Sequence, residues 1–266
     1  MYDAIVLGTG GVGGAALYHL ARRGLKVLGL DRFPPGHDRG SSHGQTRMIR
    51  MSYFEHPNYV PLLRSAYRLW DELGERRGED LFHRTGLTYF GKAGGVIIEG
   101  LQTSAREHGL TIEIVDPASA AQRFPAYVAP VGATILHEPD AGYLRVEDCV
   151  RAHIGEALAA GAEHRHDETI LRWSATDTGV SVETDKGRHD AARLVITAGC
   201  WAGELLHDLR VPWRILRKHL HWFAAEPEHF REASGCPCFF IEFEDGMFYG
   251  FPDIDGGGVK VAEHSG

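Results

Sequence analysis

The chain has 266 residues and a mass of 29.4 kDa, and 43% of its residues are hydrophobic, which is enough to bury the core of one large domain or two smaller ones. Its 28 basic and 36 acidic residues give a net charge of −8, which argues against a protein that binds nucleic acid or anionic membranes. Four cysteines without a dense paired pattern, and a start without a signal peptide or spanning apolar run, predict a reduced cytoplasmic protein. The histidines lack HxxxH or HExxH spacing, so no metal site is predicted.

The N-terminus predicts a strand, a turn and a helix in immediate succession. Residues 4–7 are apolar, the sequence GTGGVG follows at 8–13, and residues 15–23 show helical periodicity. A second strand is predicted at 26–30, and Asp31 stands at its carboxyl end. This order is typical of a dinucleotide-binding βαβ unit.

Each residue of this pattern has a chemical reason. Gly8 permits the tight turn, Gly10 lets the backbone approach a pyrophosphate, and Gly13 lets the helix pack closely on the strand. The helix start offers free N–H groups to phosphate oxygens. Asp31 would accept hydrogen bonds from a ribose and repel a 2′-phosphate, so the pattern favours FAD or NAD over NADP.

Beyond this unit the regular alternation of strands and helices is lost, which indicates a second domain inserted into the first. The predicted elements are a helix at 57–77, a strand at 81–90, a helix at 96–108, a strand at 111–115 and a short helix before Pro125.

The pattern of the first domain then returns. A helix is predicted at 146–160, and strands are predicted at 170–173, 180–184 and 194–197. Ala198, Gly199 and Trp201 follow the last of these strands, at a second place where backbone could lie against a cofactor.

Alternating aromatic strands at 216–224, 238–243 and 247–251, and a strand containing Lys260, predict an antiparallel sheet with one face free for a pocket. The predicted fold is α/β, with a Rossmann-like FAD-binding domain and an interleaved antiparallel or mixed-sheet substrate domain. The first domain is assigned residues 1–80 and 140–212, and the second residues 81–139 and 213–266.

The segment GSSHGQTRMIR, residues 40–50, is too polar for a core and contains two arginines three positions apart. A planar guanidinium can form two parallel hydrogen bonds to a carboxylate, so Arg50 could orient a carboxylate ligand. A solvated surface ion pair explains the same residues equally well.

Taken in order, GSSHGQTRMIR, EPDAGYL, VITAGCWAGELL and FYGFPDIDGGGVKVAEH resemble the monomeric sarcosine oxidase and N-methyltryptophan oxidase group of the D-amino-acid-oxidase-like flavoenzymes. The resemblance spans the whole chain. The glycine fingerprint is shared with many unrelated enzymes, whereas the GSxHGxTRxIR and YGFP…K…H stretches are much narrower signals.

The resemblance implies roles for residues after the second strand. It places Arg50 against the substrate carboxylate and His43 beside both the flavin and the reaction. The implied cofactor-binding residues are Gly8, Gly10, Gly13, Asp31, Ser42, His43, Thr46, Arg47, Ala198, Gly199 and Trp201.

Tyr249, His264 and Lys260 match family positions around the substrate. Tyr249 and His264 would shape the cavity, and Lys260 would lie over the reactive edge of the flavin, where a fixed cation favours oxygen reduction. Without the resemblance, Tyr249 would be a core aromatic residue, His264 a surface histidine and Lys260 part of a solvated strand face. Their assignment to the site therefore depends on the resemblance.

The implied reaction is oxidation of a small secondary or primary amine, such as an N-methyl amino acid, by FAD with O2 as the final acceptor. The products would be an imine, which water hydrolyses, and hydrogen peroxide. The expected partners are this amine and O2, without nucleic acid or membrane.

The family also implies residues beyond Gly266. These include a cysteine that carries the flavin covalently, a late lysine near the carboxylate site and the last elements of the cofactor domain. An alternative function is therefore a non-catalytic or incomplete dinucleotide-binding subunit completed by a second chain. A second alternative is an NAD-dependent dehydrogenase with the same fingerprint.

Overall fold

The computed structural model describes residues 1–225 and 228–264. Within them the strands are β1 (Tyr2–Leu7), β2 (Val27–Leu30), β3 (Thr46–Ile49), β4 (Phe82–His83), β5 (Leu87–Lys92), β6 (Glu113–Val115), β7 (Ala133–Glu138), β8 (Gly142–Arg145), β9 (Glu163–Arg165), β10 (Ile170–Thr176), β11 (Gly179–Thr184), β12 (Gly187–Ile196), β13 (His221–Phe223), β14 (Cys238–Glu242), β15 (Met247–Phe251) and β16 (Val259–Glu263). The α-helices are α1 (Gly11–Ala21), α2 (Val60–Arg77), α3 (Val96–His108), α4 (Pro117–Arg123), α5 (Val146–Ala159) and α6 (Ala202–Leu205).

The chain divides into two units. The first unit contains Met1–Gln45 and Arg145–Leu216, and the second contains Thr46–Leu144 and the described residues from Arg217 onward. Each unit has its own sheet and its own apolar core. The mixed α/β class predicted from the sequence is confirmed.

The first unit is built on a sheet with strand order β10-β11-β12-β1-β2-β9. β1 pairs in parallel with β12 on one side and with β2 on the other, and β2 pairs in parallel with β9. β1 and β2 are nearly continuous apolar runs because a central parallel strand is buried on both faces. β10, β11 and β12 extend the sheet as an antiparallel meander.

Helices α1 and α5 pack together in the first unit. Tyr18 of α1 and His153 of α5 lie with their ring centroids 5.6 Å apart. Burial and the nearby His19 lower the pKa of His153 to about 4, so this ring is neutral at physiological pH. The packing fixes α1 and, with it, the glycine turn at its start.

The second unit is built on a sheet with strand order β13-β16-β15-β14-β5-β7-β6. Its strands are antiparallel neighbours except for β14 and β5, which run parallel. A separate small sheet has the order β3-β8-β4. The buried aromatic and aliphatic side chains of the unit include Tyr89, Tyr143, Phe240 and Phe251.

Residues 46–80 belong to the second unit, whereas the sequence-based boundary placed them in the first. The reason lies in their packing. β3 joins the small sheet with β8 and β4, and Phe54 lies in the core beside Phe240 at a ring distance of 5.4 Å. The first domain boundary therefore falls after Gln45, inside the polar segment.

In the part of the chain that the structure describes, no helix is long and apolar enough to cross a bilayer. The longest described helix, α2, carries charged side chains along much of its length.

His137 gives the second unit an expected pH dependence. Burial, with a smaller effect from the charge of Arg123, lowers its pKa to about 4 from an ordinary value of 6.5. Between these values the unfolded chain binds the proton and the folded chain does not. Folding stability is therefore fully present above pH 6.5 and falls as the pH drops toward 4, by roughly 3 kcal/mol from this residue.

Urea unfolding at pH 7.5, 6, 5 and 4.5 would measure this loss. His137→Gln removes the titration and retains a side chain that can bond to Thr88, whose hydroxyl lies 3.0 Å from His137 Nδ1. The stability difference between the wild type and this variant should shrink as the pH falls. A difference that stays constant across this range would contradict the assignment.

Candidate active site

The carboxyl ends of β1, β2 and β12 open onto a cleft of about 340 Å³ in the first unit. The glycine turn, the start of α1, the segment after β2 and the residues after β12 form its walls. This is the edge where parallel α/β sheets bind ligands. The predicted cofactor-binding residues on its lining are Gly8, Gly10, Asp31, Ser42, Ala198, Gly199 and Trp201.

Close backbone packing explains two of the three fingerprint glycines. Gly8 has φ +84°, and a Cβ there would lie 2.7 Å from the carbonyl oxygen of Thr197. Gly13 does not line the cleft, and a Cβ on it would lie 1.8 Å from the carbonyl oxygen of Gly8. Only glycine fits at either position, so the turn can bring the start of α1 to the end of β1.

Asp31 holds the glycine turn as well as lining the cleft. Its Oδ2 accepts hydrogen bonds from the Thr9 backbone N–H at 2.6 Å and the Thr9 hydroxyl at 3.0 Å, and its Oδ1 accepts from the Phe33 N–H at 3.0 Å. The side chain of Asp31 is buried. The sequence analysis did not predict this role for Thr9. The one indication of it in the sequence is that a residue with a hydroxyl group stands between the first two glycines.

The polar segment at 40–45 is attached to this cleft. Ser42 Oγ accepts the N–H of Gly11 at 2.9 Å, at the first turn of α1. Glu147, in the first turn of α5, accepts the N–H groups of Gly44 at 2.7 Å and Gln45 at 3.1 Å. Two helix starts therefore hold the segment, which explains its polarity: its side chains and amides make the hydrogen bonds.

The residues of the cleft fit FAD. The first turn of α1 carries no acidic side chain, so the positive end of the helix dipole can attract phosphate oxygens. Phe33 and Trp201 present rings 5.8 Å apart on the cleft wall, and Arg32 lies 5.8 Å from the Trp201 ring. Flat apolar walls of this kind suit the rings of a dinucleotide.

Three predicted flavin-side residues do not line this cleft. His43 is half-buried, and Thr46 and Arg47 belong to the second unit. Thr46 is fully buried, and its carbonyl accepts a bond from Arg47 Nη1 at 2.8 Å. Their assignment to the flavin remains a prediction.

Arg50 is buried in the second unit. Its Nη2 contacts both carboxylate oxygens of Glu55, at 2.6 and 2.8 Å. The guanidinium carbon lies 4.4 Å from the ring centre of Tyr53 and 4.7 Å from that of Phe54. The Nε atom is buried and has no hydrogen-bond partner among the described residues. The alternative of a solvated surface arginine is wrong, because only 8% of this side chain is exposed.

His264 and Tyr249 lie beside the aromatic residues that pack against Arg50. The His264 ring is 6.0 Å from Phe54, 5.1 Å from Phe240 and 6.2 Å from Tyr249. Partial desolvation, and then the positive charge of Arg50, lower the pKa of His264. The neutral imidazole is therefore favoured, and it can accept a proton.

Lys260 is 2% exposed, so it is not part of a solvated strand face. Its Nζ donates to the carbonyl oxygen of Thr46 at 2.8 Å and to the Thr46 hydroxyl at 2.9 Å. It also lies 4.6 Å from the ring centre of Phe251 and 5.7 Å from that of Trp222. These contacts fix the position of the ammonium group.

Sequence reasoning missed two carboxylates near Arg50. Glu55 follows Arg50 by five residues in a segment without regular structure, so no spacing pattern marks it. Glu138 opens the EPDAGYL motif and could have been found there. Its Oε1 accepts the Met51 N–H at 2.5 Å, directly after Arg50.

Residues 3–264 match the model of the family described as FAD dependent oxidoreductase, and the chain belongs to that family. Its cofactor class is FAD, and the protein is an FAD-dependent oxidoreductase. This decides between the two dinucleotides that the fingerprint allowed and does not support the NAD-dependent alternative.

Curated relatives match along nearly the whole chain. The chain is 41% identical to a monomeric sarcosine oxidase of Streptomyces avermitilis, over 98% of this chain and 69% of the relative. It is 35% identical to an N-methyl-L-tryptophan oxidase of Yersinia pestis, over 100% of this chain and 71% of the relative. The predicted resemblance to this group is confirmed.

Solved structures show the same fold. NikD, an unusual amino acid oxidase essential for nikkomycin biosynthesis, has a TM-score of 0.80 at 26% identity over 98% of this chain and 69% of its own. Glycine oxidase from Geobacillus kaustophilus has a TM-score of 0.77 at 21% identity over 100% and 71%, which shows the fold alone. None of these matches supports a second chain as a partner.

Proposed function

We propose that the protein oxidises the carbon–nitrogen bond of a small N-methyl or secondary amino acid and uses O2 as the electron acceptor. The sarcosine and N-methyl-L-tryptophan oxidases among its relatives support an amine substrate. Bound FAD would supply the redox chemistry: it would take the hydride equivalent from the carbon beside nitrogen and return two electrons to O2, with hydrogen peroxide and an imine, which water hydrolyses, as the products. The chain's own residues bind and orient the amine and supply charge.

The environment of Arg50 is the observation that supports this proposal most directly. Arg50 has a buried guanidinium whose Nε lacks a hydrogen-bond partner among the described residues, while its Nη2 holds the solvent-exposed Glu55. A substrate carboxylate can replace Glu55 and use two donors of the guanidinium in place of one. The aromatic rings of Tyr53 and Phe54 limit how the guanidinium turns. Arg50 would therefore orient the amine as well as attract it.

His264, Tyr249 and Lys260 complete the proposed site. The depressed pKa of His264 keeps its imidazole neutral, and a neutral base beside the substrate favours the uncharged amine, which is the form that loses hydride. Tyr249 would form part of the cavity wall next to His264. Lys260 would stabilise negative charge that develops on O2.

The test is to add FAD to the purified protein, record its visible absorbance, and mix it anaerobically with sarcosine or N-methyl-L-tryptophan. Loss of flavin absorbance, followed by one hydrogen peroxide per amine once air is admitted, would support the proposal. N-methylpropylamine, which lacks a carboxylate, is the matched control and should react far more slowly. A flavin-loaded protein that reacts with no carboxylated amine would contradict the proposed reaction.

Opposite effects are expected from the two partners of the ion pair. Glu55→Gln removes the carboxylate that competes for Arg50, so KM for the carboxylated amine should fall by about 3- to 5-fold. Arg50→Lys keeps the charge but loses the planar pair of donors, so KM should rise by about 10- to 100-fold. Steady-state peroxide assays at fixed ionic strength would measure both.

Neither substitution should alter KM for N-methylpropylamine by more than about 2-fold, because the control amine offers no carboxylate to the arginine. If Arg50→Lys raised KM equally for both amines, the arginine would act on the protein structure and not on the carboxylate.

We also propose a cytoplasmic location, which the sparse cysteine pattern supports. Fractionation of the host cell, with peroxide formation as the readout, would test it.

A further inference from the structure

The backbone that follows Arg50 is held by a carboxylate from another strand. Residues 50–56 belong to no helix or strand, so their amide groups need partners from outside the segment. Glu138, the last residue of β7, provides them. Its Oε1 accepts the Met51 N–H at 2.5 Å, and both of its oxygens lie 3.2 Å from the Ser52 nitrogen.

This arrangement is buried and strongly constrained. Glu138 is 2% exposed and Ser52 is fully buried, and the hydroxyl of Tyr89 lies 3.4 Å from Glu138 Oε2. Burial raises the pKa of Glu138, and the N–H groups of Met51 and Ser52 together with the charge of Arg50 act against that rise. The carboxylate is thus attached to one short stretch of backbone through several donors.

We propose that Glu138 is a positioning residue for substrate binding: it fixes the backbone directly after Arg50 and thereby sets the direction of the guanidinium. This inference rests on the proposed role of Arg50 in binding the substrate carboxylate. Glu55 contacts the guanidinium itself and leaves it when substrate binds, whereas Glu138 contacts the backbone and remains in place. The two glutamates therefore have different tasks at one arginine.

The direction in which a substitution changes the affinity for a carboxylate distinguishes a positioning role from a purely electrostatic one. Removing a negative charge near Arg50 makes the site more positive, so simple electrostatics predicts tighter carboxylate binding for either glutamate. A positioning role predicts the reverse for Glu138, because a Gln amide at this place turns an NH2 group toward N–H donors and loosens the segment. Glu55→Gln and Glu138→Gln should therefore shift affinity in opposite directions.

The experiment is titration calorimetry on the FAD-loaded protein with isobutyrate, a carboxylate without an oxidisable amine, and with isobutyramide as the neutral control. Glu138→Gln should weaken isobutyrate binding by about 10-fold and raise KM for sarcosine by a similar factor, since loss of a buried hydrogen bond to a charged group commonly costs about 10- to 100-fold. The kcat value should stay within about 3-fold. Glu55→Gln should tighten isobutyrate binding, and isobutyramide should be insensitive to both.

Glu138→Asp gives a second test if the Gln variant does not fold. It keeps the charge but is one methylene shorter and cannot reach both amides, so it should also weaken isobutyrate binding. Unchanged or tighter binding in Glu138→Gln, or wild-type binding in Glu138→Asp, would overturn the inference. An Arg50→Met variant that binds isobutyrate as the wild type does would instead overturn the proposed function, and the role of Glu138 with it.

Discussion

Replacement of Lys260 by Met should lower the rate of oxygen consumption by about 100- to 1,000-fold, the usual cost of removing one fixed group that stabilises a developing negative charge. The ammonium is 2% exposed and is held by two oxygens of Thr46 and the ring of Phe251. A charge that is already desolvated and fixed needs little reorganisation when O2 acquires an electron. Met has a similar length, so packing against Phe251 should be retained.

Stopped-flow absorbance would separate the two halves of the turnover. The anaerobic reaction with sarcosine should change by no more than a few-fold in Lys260→Met, while the recovery of flavin absorbance on mixing with O2 should slow by the full factor. Lys92→Met is the matched control, because the Lys92 side chain is 58% exposed. If both halves slowed equally in Lys260→Met, the lysine would serve the structure and not the reaction with oxygen.

Gly13→Ala should destabilise the protein by about 4 kcal/mol or more and prevent FAD from being retained on purification. The added Cβ would lie 1.8 Å from the Gly8 carbonyl oxygen and 2.6 Å from the Thr197 hydroxyl. The backbone at Gly8 and Gly13 could relieve this overlap only if the start of α1 moved away from the end of β1. Urea unfolding and the ratio of flavin to protein absorbance would measure the two effects.

Two neighbouring glycines provide the comparison. At Gly10 a Cβ would come no closer than 3.6 Å, to the Ser42 hydroxyl, but it would project at the cleft lining, so Gly10→Ala should fold normally and lose about 1–3 kcal/mol of FAD binding. At Gly14 the nearest atom is 3.4 Å away, and Gly14→Ala should affect neither property. Normal stability in Gly13→Ala would show that the helix can shift at no cost.

Elements whose periodicity is undisturbed could be predicted from the sequence. Helix α3 begins at Val96 and ends at His108 as predicted, because its apolar stripe is regular and Gly109 stops it with φ +62°. Strand β15 is also found at the predicted residues, Met247–Phe251. Strand β3 was missed, because it lies inside a polar segment and its hydrogen-bonding partner, β8, is distant in sequence.

The candidate site divides in the same way. Gly8, Gly10 and Asp31 could be placed because the chemistry of dinucleotide binding fixes both residue type and spacing. The partners of Glu55 and Glu138 could not be predicted, although Glu138 opens a recognised motif. Glu55 accepts from a guanidinium five residues away in irregular chain, and Glu138 accepts from two amides more than eighty residues away. Local sequence carries no record of such distant pairings.

The central pairing of the first unit joins the two ends of a long stretch of chain. β1 pairs with β12 in a register that places Leu7 beside Ile196, and the whole of Thr46–Leu144 lies between them. On a ribosome, the glycine turn is therefore made early, but the strand that completes its sheet emerges only after most of the second unit has been synthesised. Pairing over such a separation folds slowly, since the loop must close before its contacts form. The strands β13 to β16 of the second unit emerge later still, so the nascent chain has a long period in which neither sheet can be completed and the cofactor cannot yet be held.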